Sequence, residues 1–362
     1  MNQAIIIGDS THNTLSVIRS LGVARLPFTL ILKCEDDTCN VAKSKYIRPN
    51  RLERVQDMDS CQKILDDLDS GILICTFDEA AEWIDAREPE LSKKFITPCR
   101  GRQIGNLFNK DVQCELAREC GLTVPKSVLF RREKAAGPLP VPYPVILKPL
   151  YSTKGEKSDI HICRNKTELH AALSVNSSCE DFILQEFIDK EYELNCLGVS
   201  CDAEIIIPGG IVKKRHYPLI TGACSFGVYN LAGTLSVNYE SIKEFIRKSG
   251  YHGPFSVEFL HAKDGKDYFM EVNFRNDGLA QTATDAGANL HAMYIDPTMN
   301  FVPARMKRIY MMNYSIDYLH VSDGRMKKLQ WWRDFFRSRC FINASFHDPM
   351  PVLNHYLSKL HL

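Results

Sequence analysis

The sequence is poor in the signals that usually announce a function. Thirteen cysteines are scattered along it without one C-x-x-C pair, which argues against a zinc site or a disulfide framework and for reduced thiols in a packed core. Cys224, set in a polar stretch, is the one worth testing for reactivity. Charge of one sign is also missing: 45 Lys and Arg face 44 Asp and Glu, for a net charge of +1 and a pI near 7.5. That balance gives no long-range pull toward nucleic acid or an acidic membrane, so neither is expected as a partner. The opening MNQAIIIGDSTHN has no basic segment and only a short apolar run, and nowhere do 18 apolar residues follow one another. The expected location is the cytoplasm.

Glycine-rich phosphate loops are absent as well. GDSTHN at 8–13 lacks the second and third glycines that G-x-G-x-x-G needs for backbone approach to a pyrophosphate, which disfavours a redox role. No G-x-x-x-x-G-K-[ST] occurs, since STKGEKS at 152–158 lacks the first glycine and the spacing. Any triphosphate has to be held some other way. Internal repeats and low-complexity segments are missing too.

What is present is a globular composition, 44% hydrophobic and 25% charged over 362 residues, enough for two or three domains. Short apolar runs at 3–8, 28–33 and 71–77 alternate with helical spacing, including a helix stopped at Gly22, and predict a parallel α/β domain over residues 1–100. Asn109 reads as the N-cap of a helix ending at Gly121, so Lys110 projects from its first turn, against the helix dipole. An anion would explain that placement, and so would plain solvation. In the strand PVILKP, Lys148 shares a face with Ile146; a lysine that merely discourages edge pairing is the bland alternative. The following loop holds Ser152 and Gly155 among donors able to cover phosphate oxygens. Gln185, Glu186, Phe187 and Ile188 offer backbone edge contacts to a purine, with Glu191 or Glu193 to accept from ribose, although a plain amphipathic strand fits them equally. A hairpin turning at Gly209-Gly210 leads to the basic run Lys213, Lys214 and Arg215, usually a solvated feature; one arginine facing the site would steady transferred phosphate. From about 304 the chain reads as an aromatic and helical appendage, its Trp331 and Trp332 in packing roles.

The stretch that organises the rest is GPFSVEFLHAKDGKDYFMEVNFRNDG, 253–278. Read as two strands joined at a two-residue Asp264-Gly265 turn, it pairs Lys263 with Lys266 and therefore Glu258 with Glu271. Alternation then puts Tyr268, Met270, Val272 and Phe274 on an apolar face and Glu271, Asn273 and Arg275 on the other. Two carboxylates opposed across a ladder lie roughly 5 Å apart at Cβ and repel unless a cation or proton lies between them. A hard divalent ion held by Glu258, Glu271 and the amide of Asn273, with phosphate and water filling its shell, removes the conflict. A hairpin with one wet face is the alternative.

The order of these signals, a helix-borne lysine, ILKP, a loop with Gly155, QEFI, VEFL and FMEVNFR, resembles the ATP-grasp superfamily over roughly residues 105–300. Within it the chain looks most like carboxylate–amine ligases of the D-aspartate ligase and amino-acid ligase kind. The resemblance implies an α/β and α+β architecture: an ATP-grasp domain at 101–303, with a lid at about 125–188, behind an N-terminal Rossmann-like parallel α/β domain. It implies that Lys110, Lys148, Ser152 and Gly155 hold ATP phosphates, that Gln185 to Ile188 form the adenine hinge and that Glu191 takes the ribose, with Glu193 open. Glu258, Glu271 and Asn273 match its Mg²⁺ ligands, with Mn²⁺ possible in that place, while Arg275 and Arg215 are matched to the reacting carboxylate and acyl phosphate. The lid loop YSTKGEK is poorer in glycine than that pattern. The implied reaction forms an amide through an acyl phosphate from small carboxylate and amine substrates, amino acids or cell-wall precursors, with a homodimer as one option for its assembly. A kinase-like phosphotransferase and a non-catalytic nucleotide-responsive module are the competing readings.

Overall fold

The computed structural model describes residues 3–34, 39–132, 139–150, 160–175, 181–201, 204–219, 222–296, 298–299 and 303–360. The first sheet is parallel, in the order β3-β2-β1-β4-β5, from β1 (Ala4–Gly8), β2 (Phe28–Lys33), β3 (Leu52–Val55), β4 (Gly71–Cys75) and β5 (Phe95–Ile96). Its central strands are buried on both faces, which is why they read as continuous apolar runs. Ile5, Ile7, Ile31 and Leu73 meet the helices Asp59–Asp67 and Asp78–Ala86, while Ile6, Leu30 and Ile74 meet the helix His12–Val23. That last helix runs through Gly22 instead of stopping there.

A second sheet, antiparallel and in the order β6-β9-β7-β8, holds β6 (Ser127–Arg131), β7 (Val145–Pro149), β8 (His161–Cys163) and β9 (Asp181–Glu186) around its own core of Val145, Leu147, Phe182 and Leu184. The chain leaves it at Phe187 and enters the central sheet of seven strands. These are β10 (Lys190–Ser200), β11 (Ile205–Tyr217), β12 (Ala223–Leu231), β13 (Gly253–Ala262), β14 (Asp267–Asn273), β15 (Ile309–Met312) and β16 (Ser338–Phe341), ordered β14-β13-β10-β11-β12-β15-β16.

Three sequence expectations change here. Gly209-Gly210 is no turn but the middle of the 13-residue β11. A Cβ on Gly209 would lie 2.1 Å from the Asn230 carbonyl oxygen, so the glycine serves close strand approach. The segment after 304 is no appendage, because β15 and β16 extend the central sheet and Asp348, fully buried, accepts from Arg19 Nε at 3.1 Å and Ser44 Oγ at 2.9 Å in the first domain. Trp331 is core, but Trp332 is 47% exposed.

The central hairpin keeps its expected pairing for a reason the sequence hid. Its loop has three residues, Lys263 to Gly265, with Gly265 at φ +82°, and Ala262 N donates to Lys266 O. That shifts the register by one, and a bulge at Met270 shifts it back, restoring Glu258 opposite Glu271. Between the two shifts the faces swap: Phe269 is fully buried, whereas Tyr268 and Met270 are only partly covered.

Candidate active site

Strand register alone gathers the polar cluster. Asn195 pairs with Glu258 and Ile211, Glu193 with Lys213, Ser256 with Asn273 and Glu258 with Glu271, so these side chains share one face of the central sheet. The opposite face, with Leu194, Cys196, Val257, Phe259 and Val272, is core. One wet face is thus built on rigid strands.

Lys110 reaches this face from the helix Lys110–Glu119, whose Asn109 caps Asp111 N and Val112 N as expected. Gln113 fixes the helix against edge strand β14: its Nε2 donates to Val272 O at 3.1 Å and its Oε1 accepts from Val272 N at 2.7 Å. Lys110 Nζ then lies 3.4 Å from Glu271 Oε2. Lys148, on β7 of the second sheet, is 4% exposed and donates to Gln185 Oε1 at 3.3 Å. Burial and the neighbouring Lys110 cation lower its ammonium from the usual range to about 8. Burial acts to raise the Glu271 carboxyl, but the Lys110 and Lys148 cations outweigh it and hold it below its ordinary value.

Lys213 is the residue sequence reasoning failed to single out. Its Nζ donates to Glu258 Oε2 at 2.9 Å and lies 3.4 Å from Glu193 Oε2. Burial would lower it, yet Glu258 and Glu193 together raise it well above the usual lysine range. His216 Nε2 sits 3.1 Å from the same Glu193 oxygen, and Lys190 pairs with the other. Burial of Glu193 is overcome by the His216 hydrogen bond and these lysines, so its carboxyl lies far below the ordinary range. A bulge between Lys213 and Arg215 explains the omission: strict alternation would put Lys213 and Arg215 on one face, whereas the bulge sends His216 to the site and turns Arg215 away.

Arg215 is accordingly corrected. Its Nε and Nη2 each donate to Asp317 at 2.9 Å and its Nη1 to Asp334 Oδ2 at 2.7 Å, with the guanidinium 4.0 Å from the Phe226 ring centre. It clamps the C-terminal helices to β11 and pairs with their aspartates, not with Glu193, Glu258 or Glu271. Arg275 does lie beside Asn273, donating to its Oδ1 at 3.2 Å. It also donates from Nε to Asp78 Oδ1 at 2.6 Å, which ties the hairpin to the first domain. Gly278 completes that junction, since a Cβ there would lie 2.3 Å from His12 Cδ2 of the GDSTHN loop. Cys224 is buried beside Phe226 O, and burial drives its thiol up to about 12, so it is not a reactive thiol.

Gln185 to Ile188 occupy the passage from β9 to β10, where Phe187 N donates to Pro144 O at 3.2 Å and Glu186 Oε1 accepts from Lys126 N at 2.7 Å. Glu191 is exposed at the start of β10, whereas Glu193 is consumed by its cations. Ser152 and Gly155 lie outside the described residues. The repulsion inferred between Glu258 and Glu271 is relieved by a lysine on each, Lys213 and Lys110. Among the described residues, no three His, Cys, Asp or Glu side chains form a metal-holding group.

The donor set nevertheless fits a nucleotide with a hard divalent ion. Two carboxylates with roughly a quarter to a third of their side-chain surface open (27% and 30%) stand beside an amide oxygen. Gln185 Nε2 and Asn195 Oδ1 are buried without a hydrogen-bond partner, one a donor and one an acceptor at the margins of the cluster. Among the described residues, buried Lys148 has its hydrogen bond to a neutral amide, a further demand that phosphate would meet.

Neither a protein-family model nor any curated protein matches the sequence. Solved structures do. The L-amino acid ligase from Bacillus licheniformis superposes with a TM-score of 0.59 at 15% identity, over 81% of this chain and 73% of that one. N5-carboxyaminoimidazole synthetase from Staphylococcus aureus, complexed with ADP, gives 0.67 at 15% identity over 89% and 86%. The biotin carboxylase domain of Hydrogenobacter thermophilus 2-oxoglutarate carboxylase, a dimer with MgADP and bicarbonate, gives 0.63 at 14% over 86% and 73%. That likeness in fold, with a parallel first sheet, a separate antiparallel second sheet and a seven-stranded central sheet in this chain, shows that it has the ATP-grasp fold.

Proposed function

We propose that the protein is an ATP-dependent carboxylate–amine ligase that works through an acyl phosphate and releases ADP and phosphate. The observation that carries this reading is the meeting of Lys110 and Lys148, from two different elements, with Glu271 and Glu258 on one face of the central sheet. Cations for phosphate and acids for a divalent ion are what phosphoryl transfer from ATP needs, because its catalysis is positioning and charge neutralisation.

In this reading Lys110 and Lys148 hold the terminal phosphates, Gln185 to Ile188 line the adenine, and Glu191 takes the ribose. Glu258, Glu271 and Asn273 hold Mg²⁺, or Mn²⁺ in its place, which when bound gathers phosphate charge. Arg275 orients the substrate carboxylate with the Nη1 hydrogen that Asn276 O leaves free among the described residues. A carboxylate oxygen attacks the γ-phosphorus and ADP leaves; the amine nitrogen then attacks the acyl carbon, phosphate leaves, and the amine gives up a proton. The sheet of β6 to β9, closing over the site from the Phe187 passage, keeps water from the acyl phosphate. Amino acids or cell-wall precursors are the substrates of choice, and a homodimer is compatible with the reading.

A phosphate-release screen with ATP, Mg²⁺ and paired amino acids, D-isomers and cell-wall precursors tests it. Phosphate and an amide are expected only when acid and amine are both present. Stable phosphorylation of a single acceptor would replace the ligase by a phosphotransferase, and nucleotide binding without turnover across the panel by a binding module.

A further inference from the structure

The helix Lys328–Arg337 carries an apolar stripe on the side that faces away from the protein. Its inner side is accounted for: Trp331 packs in a small core with Phe226 and Met312, and Asp334 takes Arg215. At about 100° per residue, Leu329, Trp332 and Phe336 fall together on the opposite side from Asp334. They are 83%, 47% and 75% exposed. The surface continues through a run of rings, Phe335 to Phe341 at 4.8 Å and Phe341 to Phe346 at 6.5 Å, and Phe346 is 88% exposed. Single exposed apolar residues are ordinary, but a contiguous aromatic patch marks something it binds.

Charge identifies what that is. Residues 325–339, RMKKLQWWRDFFRSR, hold six Lys and Arg and one acid. The acid is Asp334, buried and shared between Arg215 at 2.7 Å and the exposed Arg333 at 3.5 Å, so within the run it opposes Arg333 alone and leaves the positive charge in large excess. Lys327, Lys328, Arg333 and Arg339 are exposed around the stripe. The near-zero net charge of the whole chain therefore hides a strongly basic rim around an apolar centre. Amphipathic helices with Trp, Phe and Leu on one side and Lys and Arg flanking it lie in the plane of an anionic bilayer surface, rings among the acyl chains and cations at the phosphates.

We propose that this helix docks the protein peripherally on an anionic lipid bilayer. Among the described residues no helix is long and apolar enough to cross a membrane, so the attachment is to the surface. A second copy meeting the same patch would set basic rim against basic rim, which like-charge repulsion disfavours. Single-stranded nucleic acid uses aromatic platforms lining a groove, whereas this stripe is on the outward side of a helix and includes an aliphatic leucine. The helix needs no partner to fold, because its inner face is held by Arg215 and the Trp331 core. This inference does not depend on the ligase reading.

The test uses the full chain with vesicles of phosphatidylglycerol and phosphatidylcholine, or of phosphatidylcholine alone. Sedimentation with the anionic vesicles only is expected, lost in high salt. Tryptophan emission should shift to the blue, a change reported by Trp332 because Trp83 and Trp331 are 7% and 4% exposed. Replacing Leu329, Trp332 and Phe336 together by serine should weaken vesicle binding more than tenfold while ATP titration is unchanged. The pair Lys327→Ser and Lys328→Ser, which touches no core residue, should weaken it about tenfold or more. No sedimentation with anionic vesicles, equal sedimentation with neutral ones, or binding unchanged in both variants would overturn the proposal. A dimer that the serine variant dissolves, or an RNA oligonucleotide that binds this surface where vesicles do not, would overturn it too.

Discussion

Lys148 shows at the residue scale what a binding site costs a fold. Among the described residues, Lys110, Cys114 and Glu271 are the ionisable groups that act on it, and burial leaves its ammonium near 8 instead of the usual 10.5. Between those two values the unfolded chain binds the proton and the folded chain does not, so stability rises with pH across about 8 to 10.5, and the full penalty is present below 8. That penalty is about 3 kcal/mol. Lys148→Met should therefore stabilise the nucleotide-free protein at pH 7 in urea denaturation by up to that amount while removing ATP affinity; a destabilised variant that still binds ATP would reverse the assignment. His291 gives a second pH signature. Buried, with Nε2 on Asn276 Oδ1 at 2.6 Å, its imidazole is pushed down to about 3. The unfolded chain takes up that proton first, so stability should fall as pH drops from about 6.5 toward 3, and His291→Gln should flatten that slope in urea denaturation at stepped pH.

At the scale of elements, the bulges decide what the sequence could tell. Lys110, Lys148, Glu258 and Glu271 were legible because each follows from a cap, a strand alternation or a pairing that the structure keeps. The hairpin pairing survived only because the longer loop and the Met270 bulge cancel. In β11 the shift after Lys213 turns Arg215 away and brings His216 to the site, and the second shift, between Arg215 and His216, restores the pairing with β12 without returning Arg215, which hid Lys213 and His216. A bulge leaves no composition signature in KKRHY, and only the partner strand reveals it. Arg215→Met should leave Asp317 buried without its cation and Asp334 with only the exposed Arg333 at 3.5 Å and so cost about 3–5 kcal/mol in denaturation, with ATP binding intact in the folded fraction. Loss of turnover with full stability would restore Arg215 to the site.

The whole molecule is tied at more points than its division into segments suggested. The C-terminal strands complete the central sheet, and the buried Arg19 to Asp348 pair closes the last segment onto the first. Ending the chain at residue 303 should give an insoluble or unfolded product by circular dichroism, and a folded, ATP-binding fragment would contradict this integration. The parallel first sheet was readable from buried apolar runs, whereas β15 pairs with β12 across 80 to 86 positions and Arg19 meets Asp348 across 329, and neither left a local trace. Composition misled in one further way, because a net charge near zero averages over a basic helix and the acids elsewhere.

The central claim is that two lysines and two glutamates from separate elements converge on the terminal phosphates of ATP with a divalent ion. Calorimetric titration of ATP with and without Mg²⁺ into the wild type, Lys148→Met and Glu271→Gln tests it most directly. Binding that depends on Mg²⁺, lost in Lys148→Met and freed from its Mg²⁺ dependence in Glu271→Gln, is the predicted result. The same affinity in all three proteins, or no binding to any, would contradict it.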